Sequence, residues 1–327
     1  MAHRSTPIRG ILLLLACLSA NACLFAQADP DTSEYRFYRD HIADQTFYIS
    51  LRADDADAYL KRSFYREAIG DHIGAIEDLG KVIEIHPTDH QAYNSRAFSR
   101  DAMDDFAGAI VDYTKSIELD PTFKDAYHGR AMDLYRLGRF NEALADLEAF
   151  TTLDTLDAES FLWKGYCQAK LGDHDAAIAT YDHVLRMEPR NAKAYNNRGM
   201  SKFFLQRYDE ALSDMSIAIG IDPVYAQAFN KRGQVKYAMH DPAGAMLDYG
   251  LSIDMDPTNA SAFCNRGVAR VELKDYQGAI DDLNRSIALD STQPEAYFNR
   301  GVAYEAMGDA EKAEKDFKLA EVLSGTK

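Results

Sequence analysis

Residues 194–199 read AYNNRG, and similar hexapeptides begin at positions 58, 92, 126, 160, 228, 262 and 296. Their aromatic residues are Tyr59, Tyr93, Tyr127, Phe161, Tyr195, Phe229, Phe263 and Tyr297, each 34 residues from the next with no insertion. This period constrains the fold more than any other property of the chain. A 34-residue unit cannot bury a core by itself, so the units must stack, each packing on its neighbours. Length then ceases to be a guide to domain number. At 46% hydrophobic and 27% charged residues, the composition is that of a chain that folds.

Within a unit the pattern predicts two helices. In 193–226, apolar residues recur at three- and four-residue spacing over Lys193 to Leu205 and again over Asp209 to Ile221. Gly70, Gly138, Gly172 and Gly308 stand at the break between helices, where a C-terminus favours positive φ. Pro87, Pro121, Pro189, Pro223 and Pro257 close second helices. Sixteen residues after each aromatic comes alanine in all eight copies (Ala75, Ala109, Ala143, Ala177, Ala211, Ala245, Ala279, Ala313). A site that accepts only alanine marks helices too close together for a larger side chain.

A helix–turn–helix of 34 residues with aromatic, glycine, alanine and proline at these offsets resembles the tetratricopeptide repeat (TPR), and AYNNRGMSKFFLQRYDEALSDMSIAIGIDP is similar to an N-R-G variant of it. The resemblance covers 56–327 as eight units. It implies an all-α, right-handed superhelical solenoid of antiparallel helix pairs, a non-catalytic scaffold that binds a protein or peptide in a concave groove lined by first helices. Residues 29–55 form an N-terminal segment in which 36–52 are expected to be a degenerate second helix capping the first repeat. The last helix, rich in Glu and Lys, is expected to face water itself.

Three residues after the aromatic stands arginine, and nineteen after it aspartate. The pairs are Arg62 and Asp78, Arg96 and Asp112, Arg130 and Asp146, Arg198 and Asp214, Arg232 and Asp248, Arg266 and Asp282, and Arg300 and Asp316. Repeat four has Lys164 and Thr180 instead, so the one unit that loses the arginine also loses the aspartate. We expect a pair tying the two helices of each unit, a role that suits the planar guanidinium fork.

Comparing the copies column by column points to candidate partner-binding residues. Two places after the aromatic, copies with Lys61, Ser95 and Asn197 suggest an exposed site that holds Trp163 in repeat four. One place after it, Asn and His prevail, but repeat four holds Leu162. Eight and nine places after it, where other copies carry charges such as Glu67, Asp101 and Lys170, repeat five holds Phe203 and Phe204. Leu162, Trp163, Phe203 and Phe204 are therefore the candidate surface, clustered as a binding hot spot would be. The competing reading is local packing, with Trp163 shielding the site of the missing pair. No repeat has lysine one place and asparagine five places after the aromatic, the clamp that chaperone-tail TPRs use for a terminal carboxylate.

The formal charge of -16 repels phosphate backbones and anionic membrane surfaces, which disfavours nucleic acid as a partner. The nine histidines form no H-E-x-x-H, and no G-x-S-x-G or phosphate-cradling loop occurs, so an enzyme with an unrecognised site is the weakest alternative and no cofactor is expected. Residues 1–28 have the architecture of a secretory signal: Arg4 and Arg9, an apolar run over Ile11 to Leu18, and Ala26-Gln27-Ala28 as a cleavage triplet. Two alternatives stay open: lipidation at Cys17 in Leu14-Leu15-Ala16-Cys17, giving an outer-membrane lipoprotein assembly factor, or an uncleaved anchor over 10–26. Each places the body outside the cytoplasm, periplasmic or secreted. Cys167 and Cys264, three repeats apart, are not expected to pair.

Overall fold

The computed structural model describes residues 32–325, and among them every regular element is a helix. The expected leader, with Cys17 and Ala26-Gln27-Ala28, lies outside the described residues. Two compact units divide between Ser160 and Phe161. The first holds α1 (Ser33–Leu51), α2 (Ala56–Ala68), α3 (His72–Ile85), α4 (His90–Asp101), α5 (Phe106–Leu119), α6 (Lys124–Arg136) and α7 (Phe140–Leu153). Helix α8 (Ala158–Lys170) carries the division. The second unit holds α9 (His174–Met187), α10 (Ala192–Phe204), α11 (Tyr208–Ile221), α12 (Ala226–Ala238), α13 (Pro242–Met255), α14 (Ala260–Glu272), α15 (Tyr276–Leu289), α16 (Pro294–Ala306) and α17 (Ala310–Ser324). Within each unit, consecutive helices pack on each other, giving the expected all-α solenoid of helix pairs.

Local chemistry explains where the helices begin and turn. Asp71, Asp105, Asp241 and Asp275 each accept the backbone N–H three residues on, satisfying a donor that the first turn leaves unpaired. Pro242 follows its Asp241 cap at the first helical position. The turn between paired helices holds a left-handed residue at one fixed place. Gly70, Gly138, Gly172 and Gly308 occupy it, and so do Asp104, Gln206, His240 and Lys274 with φ near 60°. The turn geometry is thus kept even where the side chain costs about 1–2 kcal/mol to place there.

The alanine sixteen places after the aromatic is buried in every copy. A complementary small-to-large contact lies beside it. A Cβ added at Gly165 would come within 2.5 Å of the Tyr181 ring, one at Gly233 within 2.6 Å of Tyr249, and one at Gly301 within 2.7 Å of Phe317. The glycine at this place lets a bulky side chain of the second helix close on the first, an aromatic ring in these three repeats and Met215 or Leu283 at Gly199 and Gly267.

All seven Arg–Asp sets meet, with the guanidinium donating through Nε and Nη2 to both carboxylate oxygens at 2.6–2.8 Å. Each guanidinium also lies 5.2–6.0 Å from the centre of its own hexapeptide ring. Two further links escaped the sequence. In four repeats the remaining nitrogen, Nη1, reaches back sixteen residues, to Thr46, Thr114, Asp182 and Asn284 on the preceding helix. In five, a second cation four residues on (Arg66, Arg100, Lys202, Lys236, Arg270) shares the aspartate at 2.8–3.0 Å.

Thr46 lies on α1, so that helix takes the place of a preceding second helix in the same register. Tyr38 and His41 lay their rings on Tyr65, while Phe37, Phe47, Tyr48 and Leu51 stay exposed. In α17, Glu311, Lys312, Glu314, Lys315, Lys318 and Glu321 are exposed and Asp316 turns inward to its arginine. Cys167 and Cys264 are free, buried thiols.

The clamp geometry makes a quantitative expectation. A double-mutant cycle between Arg198 and Asp214 should show coupling above about 0.5 kcal/mol, and Arg198 with Asp182 a smaller coupling of the same sign, since Asp182 is more exposed. Arg198 with Asp248 should show almost none. Equal couplings to Asp214 and Asp248 in urea unfolding would remove the clamp as the tie between paired helices.

Candidate functional site

The four candidate surface residues lie on α8 and α10, the first helices of repeats four and five, and the structure separates them. Leu162 is 7% exposed, which corrects its expected place on an exposed stripe. Its column is an interior one. The equivalent Asn196, Asn230 and Cys264 are buried too, and the asparagines survive there because they are hydrogen-bonded: Asn196 Nδ2 donates to the Tyr225 hydroxyl at 3.5 Å, and Asn265 Nδ2 donates to Asn230 Oδ1 at 3.0 Å. Polar residues in a column are no proof of exposure when partners satisfy them.

Phe203 is half-buried against Ala211, Met215 and Val235, Tyr208 and Met200, a second correction. Eight places after the aromatic is a contact site for the next repeat, whose residue six places after its own aromatic meets it. Phe203 thus packs on the cluster that holds Val235, as Tyr237 does on that of Ala269 and Val271 on that of Ala303. In the first unit the same contact is polar. The Ser99 hydroxyl donates to Glu67 at 2.5 Å, and Asp133 faces Asp101.

Phe204 is on the surface, 59% exposed, with its ring stacked on His174 of the preceding repeat at 4.8 Å between centres and 9° between planes. Arg136 occupies the equivalent place and lies 5.3 Å from the Phe106 ring, so this too is a recurring contact between repeats. Trp163 is half-buried, its ring 5.3 Å from that of Tyr166. Tyr166 opens a chain of polar side chains that runs from repeat four through repeat five to Tyr225, at the N-cap position of α12. Asn197 Nδ2 donates to the Tyr166 hydroxyl at 2.8 Å, Asn196 Nδ2 donates to Asn197 Oδ1 at 3.3 Å, and Asn196 also reaches Tyr225. Asn196 is 3% exposed, yet its Oδ1 has no donor among the described residues. Burial pushes the Tyr225 hydroxyl up to about 12 and raises that of Tyr166, so both are neutral hydrogen-bonding groups at any ordinary pH. Trp163 marked the place in the sequence. The asparagines beside it carried no signal, because asparagine also fills ordinary columns.

Repeat four keeps a cation, Lys164, in the arginine column but has neutral residues in place of the aspartate and the second cation, the Thr180 hydroxyl donating to Gln168 Oε1 at 2.7 Å. Repeat three keeps Arg130 and Asp146 but has Leu134 where others place a second cation. A shallow cleft of about 290 Å³ opens there beside Ile110 and Thr114. His86 and His90 flank Pro87, and among the described residues no group of three or more His, Cys, Asp or Glu could hold a metal ion.

The Asp133–Asp101 contact has a pH consequence. Asp133 is fully buried; burial first, then the Asp101 charge, pushes its carboxyl up to about 8 against the opposing pull of Arg136. Burial likewise pushes Glu67 up to about 7. A carboxyl raised by folding contributes its stability below the unfolded value near 4 and loses it as pH climbs through the folded value. Each tenfold change in proton affinity is worth about 1.4 kcal/mol. Asp133→Asn is therefore expected to match the parent chain near pH 4 and to exceed it by about 1.4 kcal/mol or more at pH 8.5. A stability difference that stays constant across that range in thermal unfolding would contradict the buried acid pair.

Comparisons with known proteins agree with this geometry. A family model described as tetratricopeptide repeat matches residues 128–192 and 168–226, and one described as TPR repeat matches 269–308. The search of curated proteins finds no match. Among solved structures, the chain is similar to a tetratricopeptide repeat protein from Parabacteroides merdae, at 17% identity over 81% of this chain and 98% of that one, with a TM-score of 0.63. It is also similar to pilF of Pseudomonas aeruginosa, at 18% identity over 64% of this chain and 94% of that one, TM-score 0.55. A third likeness is to a chain of the APC/C hetero-tetramer Cut9-Hcn1, at 17% identity over 86% of this chain and 56% of that one, TM-score 0.62. At such identities the likeness is one of fold.

Proposed function

Because the chain belongs to the tetratricopeptide repeat family, whose members generally act as protein-interaction scaffolds, we propose that it is a non-catalytic adaptor of the cell envelope that holds a protein or peptide on the first-helix face of repeats four to six. The observation that carries this reading is the group of Trp163, Tyr166, Asn196, Asn197 and Tyr225. It joins aromatic surface to amide groups from repeat four to the start of α12 and retains a buried acceptor without a donor among the described residues. Aromatic anchors beside amides suit an extended backbone, which offers a donor and an acceptor at every residue. Phe204 adds exposed apolar area on the same helix as the two asparagines.

The test is capture of partners from envelope extract on the immobilised chain, followed by affinity measurement on Trp163→Ala and Phe204→Lys. Lys170 holds the place of Phe204 in repeat four, so the second variant should fold. Each is expected to lose about 2 kcal/mol of binding, the scale of a lost hot spot, with little change in Tm. A fall in Tm with unchanged affinity would make both rings packing residues and leave the proposed surface without support.

The envelope location rests on the first 28 residues. Among the described residues no helix is long and apolar enough to cross a membrane. N-terminal sequencing of the native protein is expected to begin at Asp29. A start at acylated Cys17 would make the chain a lipoprotein, and an unprocessed start would favour the anchor.

A further inference from the structure

Lys231 is out of keeping with the other buried and half-buried cations of the first helices. Each clamp arginine has its aspartate, and Lys202, Lys236 and Arg270 reach the same carboxylates. Lys231, half-buried on α12, makes no ion pair or hydrogen bond with any described residue. Its proton affinity is lowered, first by burial and then by the charge of Lys170 on α8. Two ammonium groups thus come within electrostatic reach of each other, from repeats four and six, in a chain whose formal charge is -16. A half-buried cation usually has a partner in the fold that supports it. Packing does not demand a lysine here, since the same column holds Ser95, Gly129, Asn197 and Asn265.

The same column relates Lys231 to the surface already described. Trp163, Asn197 and Lys231 stand at one position in repeats four, five and six. One first helix, α10, lies between the tryptophan and the lysine, so two helix spacings separate them, roughly 15–20 Å at the usual spacing of packed helices. An extended segment rises about 3.3 Å per residue, so five or six residues would cover that distance. Between the two ends lie the Asn197 and Asn196 amides.

Building on the binding face proposed above, we propose that its occupant is an extended protein segment that sets a carboxylate side chain against Lys231, with Lys170 adding to the attraction, and an apolar side chain against Trp163 five or six residues away. The carboxylate supplies the charge that the fold withholds from Lys231. An otherwise acidic surface repels the same segment elsewhere, so the pair of lysines also sets where along the array it docks.

Trp163 is the single tryptophan of the chain and so reports on its own site. The probe is an acetylated, amidated octapeptide free of tryptophan, with one phenylalanine and one glutamate five residues apart on a serine–glycine backbone. Its control has glutamine for glutamate. The glutamate peptide is expected to change Trp163 emission saturably and to bind at least tenfold more tightly than the control, with the preference shrinking at high salt. Lys231→Gln should abolish the preference and Lys231→Arg should keep it, both with the Tm of the parent chain.

Equal affinity for the two peptides, or a preference that survives in Lys231→Gln, would overturn the acidic partner while leaving the binding face intact. Failure of both peptides overturns this proposal too, and partner capture sensitive to Trp163→Ala would then show that the wider reading still stands. Self-association that Lys231→Gln abolishes and the peptide leaves unchanged would assign the face to a second copy, also against the proposal.

Discussion

The bidentate pair of arginine and aspartate is the interaction on which seven of the eight helix pairs depend. The aspartates are almost completely buried, and a carboxylate in that position is tolerable only because its lone pairs are filled. The guanidinium fills two of them. In five repeats a second cation adds another contact. Such a pair contributes little net stability compared with an apolar pair of similar volume, but removing one partner alone costs about 3–5 kcal/mol. Its value is geometric. The planar fork fixes the two helices in register, the hexapeptide ring supports one face of the guanidinium, and Nη1 carries the same register to the preceding helix in four repeats.

That geometry explains why the fold was so legible in the sequence. Period, alanine contact and the arginine–aspartate columns are all set within a unit or at one fixed offset, so the copies display the first two constraints eight times and the third seven times. Even the left-handed turn is general, although Asp104, Gln206, His240 and Lys274 conceal it from a search for glycine. In a helix pair the turn is held from both sides, so four ordinary side chains accept a conformation they would avoid in isolation.

The candidate site was only partly legible, for an equally physical reason. Treating each column alone takes polar residues as a sign of exposure. At the column of Leu162 the polar members are buried and bonded, and at the column of Phe203 the charges of the first unit face partners in the following repeat. The informative object is a pair of columns in adjacent repeats. Glu67 goes with Ser99 and Asp101 with Asp133, while Phe203 goes with Val235 and Tyr237 with Ala269. Trp163 was legible because a single bulky ring among lysine and asparagine is conspicuous. Asn196, with its unpaired acceptor, was not, because nothing in its identity distinguishes a bonded asparagine from an idle one.

The paired columns also divide the chain energetically. In the second unit the contact eight places after the aromatic is apolar, beside neutral hydrogen bonds such as Asn197 to Tyr166 and Asn265 to Asn230, whereas in the first unit the same contact holds buried carboxyls that fold most readily when protonated. In a stacked array each interface contributes separately to stability, so a weak interface loosens its own neighbourhood before the rest. Repeat four keeps Lys164 but has threonine and glutamine in place of the aspartate and second cation, joined by a hydrogen bond between neutral groups. The ring of Trp163 thus starts the proposed binding face from the one repeat that lacks the buried aspartate. A site that must hold an acidic segment by electrostatic attraction can then respond to ionic strength through Lys231 and Lys170 without losing the framework that presents them.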